Sequence, residues 1–275
     1  MLLAMIEPAA DASAAEWLTR SAGAFGTVHS LVPDVFEAYA RVFQPASRYG
    51  ETRDPGHAPA EGREVRWADV AAANGTKMHG AAEWGQLTGS WALEEQADLW
   101  DRTPETRQLP EGPARRLAEI LARHTRTPER CRFAVWDGWG ESMLVFMFRK
   151  GVPPEEQARI RERREAEIEA WESLVRGAPK FGMPSRAYHL LEGPIHAIMR
   201  FYDASHKNPP SIWWPEDRVW CVGGDVDLMS TYVGGGAATI EAVLADPALE
   251  ALPIPAGQSV TWEADTINPP VGPPR

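Results

Sequence analysis

Cysteine is nearly absent: the 275 residues contain two, Cys131 and Cys221. They lie far apart and make no CxxC pair, so they build neither a disulfide framework nor a cysteine-rich zinc site. Two buried, reduced thiols in a cytosolic protein are the expectation. Basic charge is also short, with 28 Lys and Arg against 39 Asp and Glu and a formal net charge of -11. Non-specific nucleic-acid binding needs clustered cations that release counterions from phosphates. Docking on anionic membranes needs similar clusters. Neither is expected; a basic protein partner, or solubility alone, suits this charge better. Long apolar runs are missing too. No stretch approaches the roughly 18 apolar residues of a membrane-spanning helix. The apolar run at residues 1–6 has no basic region and meets Glu7, Pro8, Asp11 and Glu16 at once, so it does not read as a secretory leader.

Catalytic spacing is the last absence. The histidines are His29, His57, His79, His124, His189, His196 and His206. None sits in HExxH or at zinc spacing from a cysteine, and no Gly-x-Ser-x-Gly marks a nucleophile elbow. No metal and no cofactor is expected. A triad assembled from distant residues stays open.

What the chain has in quantity is tryptophan, 12 in all. Each brings a large apolar surface and an N–H that wants a partner when buried. Core is the usual fate, and a pocket or interface the alternative. Along the chain, residues 9–21 have helical spacing. Val32-Pro33-Asp34 opens an expected second helix through residue 43, with Phe36, Tyr39 and Phe43 on one face. Residues 47–63 read as a surface loop, residues 66–73 as a short helix stopped by Asn74-Gly75, and residues 113–125 as a helix. Residues 131–137 form the first clear strand, and residues 141–148 an expected return strand. Pro153-Pro154 opens a long charged helix whose second half carries Ile168, Trp171, Leu174 and Val175. From Arg186 the chain turns β-rich, and its tail from Pro253 is expected to lie over the surface or fray.

The densest cluster is Trp213-Trp214-Pro215-Glu216-Asp217-Arg218-Val219-Trp220, read as a hairpin around a charged turn. Alternation puts Trp213 and Trp214 on opposite faces. One reading exposes Trp214 beside Asp217 and Arg218 as a recognition patch; the other buries a two-sided strand. Asp225 and Asp227, two apart, could bind a metal or act as acid and base, or simply cap a turn. Gly234-Gly235-Gly236 lies between a strand and a helix as phosphate loops do, but lacks the following Lys-Ser or Lys-Thr, so tight strand–helix packing is the plainer use.

The Trp213–Trp220 cluster, Asp225-Val226-Asp227, Ser230-Thr231-Tyr232-Val233-Gly234-Gly235 and the segment at residues 65–79 resemble a family of proteins from high-GC actinobacteria to which no activity is assigned. That resemblance implies a bacterial, cytosolic origin and carries no activity. A looser similarity, a Val-Pro-Asp helix start and an acidic, Trp-rich α+β make-up, is to the SMI1/KNR4-like immunity proteins.

The fold expected is α+β: a mixed or antiparallel sheet with flanking helices, with a division into two lobes left open. Those lobes would be residues 1–150 and a β-rich 181–275, joined by a helix at 151–180. The leading function is a non-enzymatic cytosolic binding or interaction protein, immunity-like in one version. Its binding residues would be Trp213, Trp214, Asp217, Arg218, Trp220, Asp225, Asp227 and Tyr232. The alternative is an enzyme or small-ligand binder with a site between the lobes, drawing on Asp225, Asp227 and His196.

Overall fold

The computed structural model describes residues 6–49, 62–107, 109–138, 151–183, 186–202 and 209–273. In chain order its elements are β1 (Glu7–Pro8), α1 (Glu16–Arg20), β2 (Ala38–Phe43), β3 (Ala46–Arg48), β4 (Arg63–Val65), α2 (Trp67–Asn74), α3 (Trp84–Thr88), α4 (Glu111–Ala122) and β5 (Cys131–Trp136). Then come α5 (Pro154–Gly177), β6 (Lys180–Met183), β7 (Arg186–Gly193), a 3-10 helix at Ile195–Tyr202, β8 (Pro210–Pro215), β9 (Trp220–Gly223), β10 (Ser230–Gly235), α6 (Ala237–Leu244) and β11 (Ala251–Pro253). The expected return strand at 141–148 lies outside the described residues.

Among the described residues nine strands form one sheet in the order β1-β7-β5-β8-β9-β10-β2-β11, with β6 also paired to β7; β3 and β4 make a separate ribbon. The pairings are antiparallel. This is the expected α+β architecture with flanking helices. β2 lies between β10 and β11, and β5 between β7 and β8, so residues 1–150 and 181–275 share one sheet.

Three apolar clusters hold the fold. On one face of the sheet, Phe133, Trp213, Val222 and Val233 meet Leu117 and Leu121 of α4, Trp171 and Val175 of α5, Phe201 of the 3-10 helix, and Ile240 of α6. Ala114, Leu117 and Leu121, spaced three and four along α4, make that helix amphipathic and dock it. Burying one such leucine contributes about 1.5–3 kcal/mol. On the other face, Leu190, Ile212, Trp214, Cys221 and Tyr232 are covered by mostly irregular chain, through Leu18, Val28, Val32, Ile254 and Val260. A third cluster joins Phe43, Trp67, Trp84 and Trp100 beyond the end of β2, with successive ring centroids 4.9, 5.2 and 5.2 Å apart.

Two expectations are corrected. Residues 35–43 hold no helix: residues 38–43 are strand β2. Tyr39, Arg41 and Phe43 alternate there against Ala40 and Val42, a period of two that fits a strand as well as the Phe36-Tyr39-Phe43 spacing fitted a helix. Pairing with β10 on one side and β11 on the other decides between them. The tail does not fray either: Ile254, Val260, Ala264, Asp265 and Asn268 are buried.

Candidate functional site

The hairpin forms as β8 and β9, with Trp213 opposite Val222. Its tryptophans are core. Trp213, Trp214 and Trp220 are 5%, 1% and 0% exposed. Trp213 packs edge-on against Trp220 with centroids 5.3 Å apart on the helical face. The Trp220 indole N–H donates to the Leu121 carbonyl at 3.1 Å. Trp214, on the opposite face, meets the Trp17 ring at 6.0 Å. The recognition patch placed on Trp214 is therefore corrected: the strand runs through the middle of a sheet covered on both faces, and Pro215 still pairs with Cys131 of β5, so Trp214 never reaches the rim.

The charged turn has structural ties. Asp217 accepts from the Thr125 hydroxyl at 2.7 Å and the Arg126 amide at 2.9 Å, anchoring the loop after α4. Asp225 takes the Arg186 guanidinium at 2.6 Å, while Asp227 stands 3.5 Å from it and donates its amide to Asp225. Arg186 in turn lies 4.6 Å over the Trp136 ring. An arginine thus fills the place between these carboxylates where a cation would sit. His196 is exposed on the 3-10 helix. Among the described residues no group of three or more His, Cys, Asp or Glu side chains is placed to hold a metal. A cavity of about 30 Å3 lies against Trp213, Val222, Thr231, Ile198 and Tyr202; Asp225, Asp227 and His196 do not line it.

Gly234 of the triple glycine sits in a closely packed place. A Cβ on Gly234 would stand 2.5 Å from Phe36 and 2.8 Å from Val32. The N-terminus of α6 already holds an anion, because the Ala237 amide donates to the Glu37 carboxylate at 2.9 Å.

Tyr232 is the one expected site residue that joins a cluster of buried titratable groups. It is paired in register with Arg41 of β2. The guanidinium, 4% exposed, contacts Glu83 at 3.1 Å. It donates to the Ser230 hydroxyl at 2.8 Å and to the carbonyls of Ala82 and Gly80 at 2.8 and 3.2 Å. Burial pushes the Glu83 carboxyl up to about 7 against the pull of Arg41, and burial likewise pushes Tyr232 up to about 12. Asp265 sits beside them with its side chain wholly buried. His79 Nε2 lies 2.9 Å from it, and the amides of Ile267 and Asn268 donate to it at 3.0 Å. Burial alone would raise its pKa; the bonds from Asn268, Ile267 and His79 hold it below the usual range. This network ties β2, the chain at 77–83 and the tail together. No spacing rule could have found it, since its members come from distant segments.

A second cluster joins Asp137, which follows β5, with Lys180 at 2.8 Å and His189 Nε2 at 2.7 Å. Lys180 and then His189 hold the Asp137 carboxyl below its ordinary range. His189 is buried, and its Nδ1 has no hydrogen-bond partner among the described residues.

Apolar surface gathers around α1. Trp17 is half-buried, with Phe36 edge-on at 6.2 Å and the exposed Arg218 guanidinium 5.7 Å from its ring. Their chain neighbours Val35 and Val219 are 56% and 38% exposed. Beside this patch an open groove of about 280 Å3 is lined by Asp11, Ser13, Glu16, Thr19 and Phe181, with Ala12 and Ala15. Sequence reasoning picked out Arg218 but not Trp17, which carries a helical period and so reads as core.

No family model, no curated protein and no solved structure matches this chain. Among the described residues no helix is long and apolar enough to cross a membrane.

Proposed function

We propose that this is a non-enzymatic cytosolic binding protein whose partner is a basic polypeptide, met by the face that carries Trp17 and Arg218. The observation that carries the reading is a half-buried Trp17 with Phe36 at its edge and the exposed Arg218 over its ring, on a chain of net charge -11. Trp and Arg are the side chains that most often dominate protein–protein binding energy, and an acidic surface steers a basic partner toward it. The acid–base clusters support the same reading: Arg41, Asp217 and Arg186 each use their polar atoms to join segments of this chain. Two free, buried thiols suit a reducing compartment. A toxin-neutralising role, as the similarity to SMI1/KNR4-like proteins implies, is one concrete form of it. Affinity capture on the full chain from its source cell, eluted with increasing salt, tests the proposal. A basic protein released as salt rises, and lost when Trp17 is replaced by Ser in a still-folded chain, is the expected result. Recovery of acidic proteins only, or of none, would refute it.

A further inference from the structure

We infer that the groove beside α1 seats one basic side chain of the partner, an arginine or lysine held by the carboxylates of Asp11 and Glu16 with its stem along Phe181. The inference rests on the basic-polypeptide reading and assigns that reading its charged contact. Three features of the groove point to such an occupant. The first is size: at about 280 Å3 it has room for a long side chain, where roughly 10–15 Å3 suffices for a water. The second is its wall chemistry. Both ionisable residues on it are acidic, beside the hydroxyl residues Ser13 and Thr19. The Ser13 hydroxyl and amide hold the Asp11 carboxyl below the ordinary range, so it is anionic throughout the neutral region. The third is the floor. Phe181 is stacked on Tyr188 with centroids 5.5 Å apart and is 9% exposed. That gives a fixed apolar base of the kind a lysine or arginine stem lies along.

The chain already offers a cation to this site. Arg20 reaches Glu16 at 2.5 Å, one helical turn away, but its side chain is 76% exposed. A pair so open to water contributes little, and Arg20 can turn outward when a better-placed cation arrives. It is a weak internal competitor that shows which charge the position takes.

The test is calorimetric titration of the full chain with an end-capped tetra-arginine peptide at low salt. Asp11→Asn with Glu16→Gln is compared against Glu94→Gln with Glu95→Gln, which removes the same charge from an exposed loop. In Asp11→Asn the side-chain amide keeps an oxygen to accept from the Ser13 backbone N–H, and an unchanged melting temperature certifies the fold. The groove pair is expected to weaken binding about tenfold and the control pair less than about twofold. Arg20→Gln, which frees Glu16, is expected to tighten it about twofold. Equal losses from the two pairs, or weaker binding by Arg20→Gln, would overturn the groove and leave the basic-partner reading standing. A wild-type chain that binds no tetra-arginine, while a basic partner is still captured from cells, would likewise sink the groove alone. Failure of both experiments would remove the two together.

Discussion

The two faces of the sheet are covered by different materials and held by different forces. Over the face of Trp213 and Trp220 lie α4, α5, α6 and the 3-10 helix, and the contact is apolar side chain on apolar side chain. Over the face of Trp214 lies chain that is mostly neither helix nor strand, residues 9–36 and 254–264. A helix satisfies most of its own backbone donors and acceptors, so a helical cover needs only an apolar stripe. An irregular cover cannot do this and must find partners. Here segments of it bond one another: Val28 donates to the Gln258 carbonyl at 3.0 Å and Val260 to Gly26 at 2.9 Å. Where it meets β2, the buried Arg41 and Asp265 side chains take up carbonyls and amides that no ladder reaches, the Glu83 amide among them. The buried Arg41–Glu83–Asp265 cluster follows the irregular cover, and its position is explained by backbone accounting before any chemistry is invoked.

The strongest way to break that comparison is to empty one site on each face. Trp213→Ala and Trp214→Ala are each expected to destabilise by about 3–5 kcal/mol, since both are large buried rings in central strand β8. Denaturant melts of the two variants measure it. A loss below about 1 kcal/mol for Trp214 alone would mean that the irregular cover does not pack on the sheet as tightly as the helices do, and that Trp214 is an accessible residue after all.

The same contrast explains what could be read from the sequence. Residues 113–125 marked α4 within a few positions, and Asn74-Gly75 marked the end of α2, where Gly75 takes a φ of 67°. The hairpin of β8 and β9 followed from alternation and a charged turn. These are local patterns with a period. Strand β2 was misread because Tyr39, Arg41 and Phe43 satisfy two periods at once, and only its long-range neighbours settle it. Of the candidate site residues, Asp225 and Asp227 carried a turn-capping reading beside the metal one, and the Asp227 amide does donate to the Asp225 carboxylate. The Arg41–Glu83–Asp265 cluster had no signal at all, because Arg41 and Asp265 lie near opposite ends of the chain and no spacing rule spans them.

A smaller effect tests the polar pins of the irregular cover. The Glu83 carboxyl is raised from an ordinary 4.5 to about 7 by burial. Below pH 4.5 it is protonated in both the folded and the unfolded chain and contributes no difference. As pH rises from 4.5 to 7 the unfolded chain releases the proton and the folded one retains it, so stability falls, by about 3 kcal/mol over that window. Asp265, held low, acts in the opposite sense: its contribution is present above its unfolded value and lost as pH falls through the folded one. Denaturation of the wild type and of Glu83→Gln across about pH 4 to 8 separates the two, because the variant keeps the Asp265 limb and loses the Glu83 slope. Parallel curves for the two proteins would show that Glu83 ionises as freely as a surface carboxylate, and the buried pin would not exist.

The smallest effect belongs to the helical cover, and its smallness is the point. The start of α6 is tied to the rest of the chain by a side-chain hydrogen bond from the Ala237 amide to the exposed Glu37 carboxylate. The helix itself is held by Ile240 and Val243, which are buried against β2 and its neighbours. Glu37→Gln keeps an acceptor for the amide and removes the negative charge from the positive end of the helix dipole. The expected cost is about 0.3–1 kcal/mol, the usual worth of such a charge at the surface, and it should shrink as salt is added. A melt at low and at moderate ionic strength reads both quantities. A loss above about 2 kcal/mol, or one indifferent to salt, would mean that α6 depends on a polar pin just as the irregular cover does. The same variant tests the glycine loop. With the anion gone, Gly234 is still closed by Phe36 and Val32, so inorganic phosphate should bring no recovery of stability; a phosphate-dependent rise in melting temperature would support the phosphate-loop reading instead.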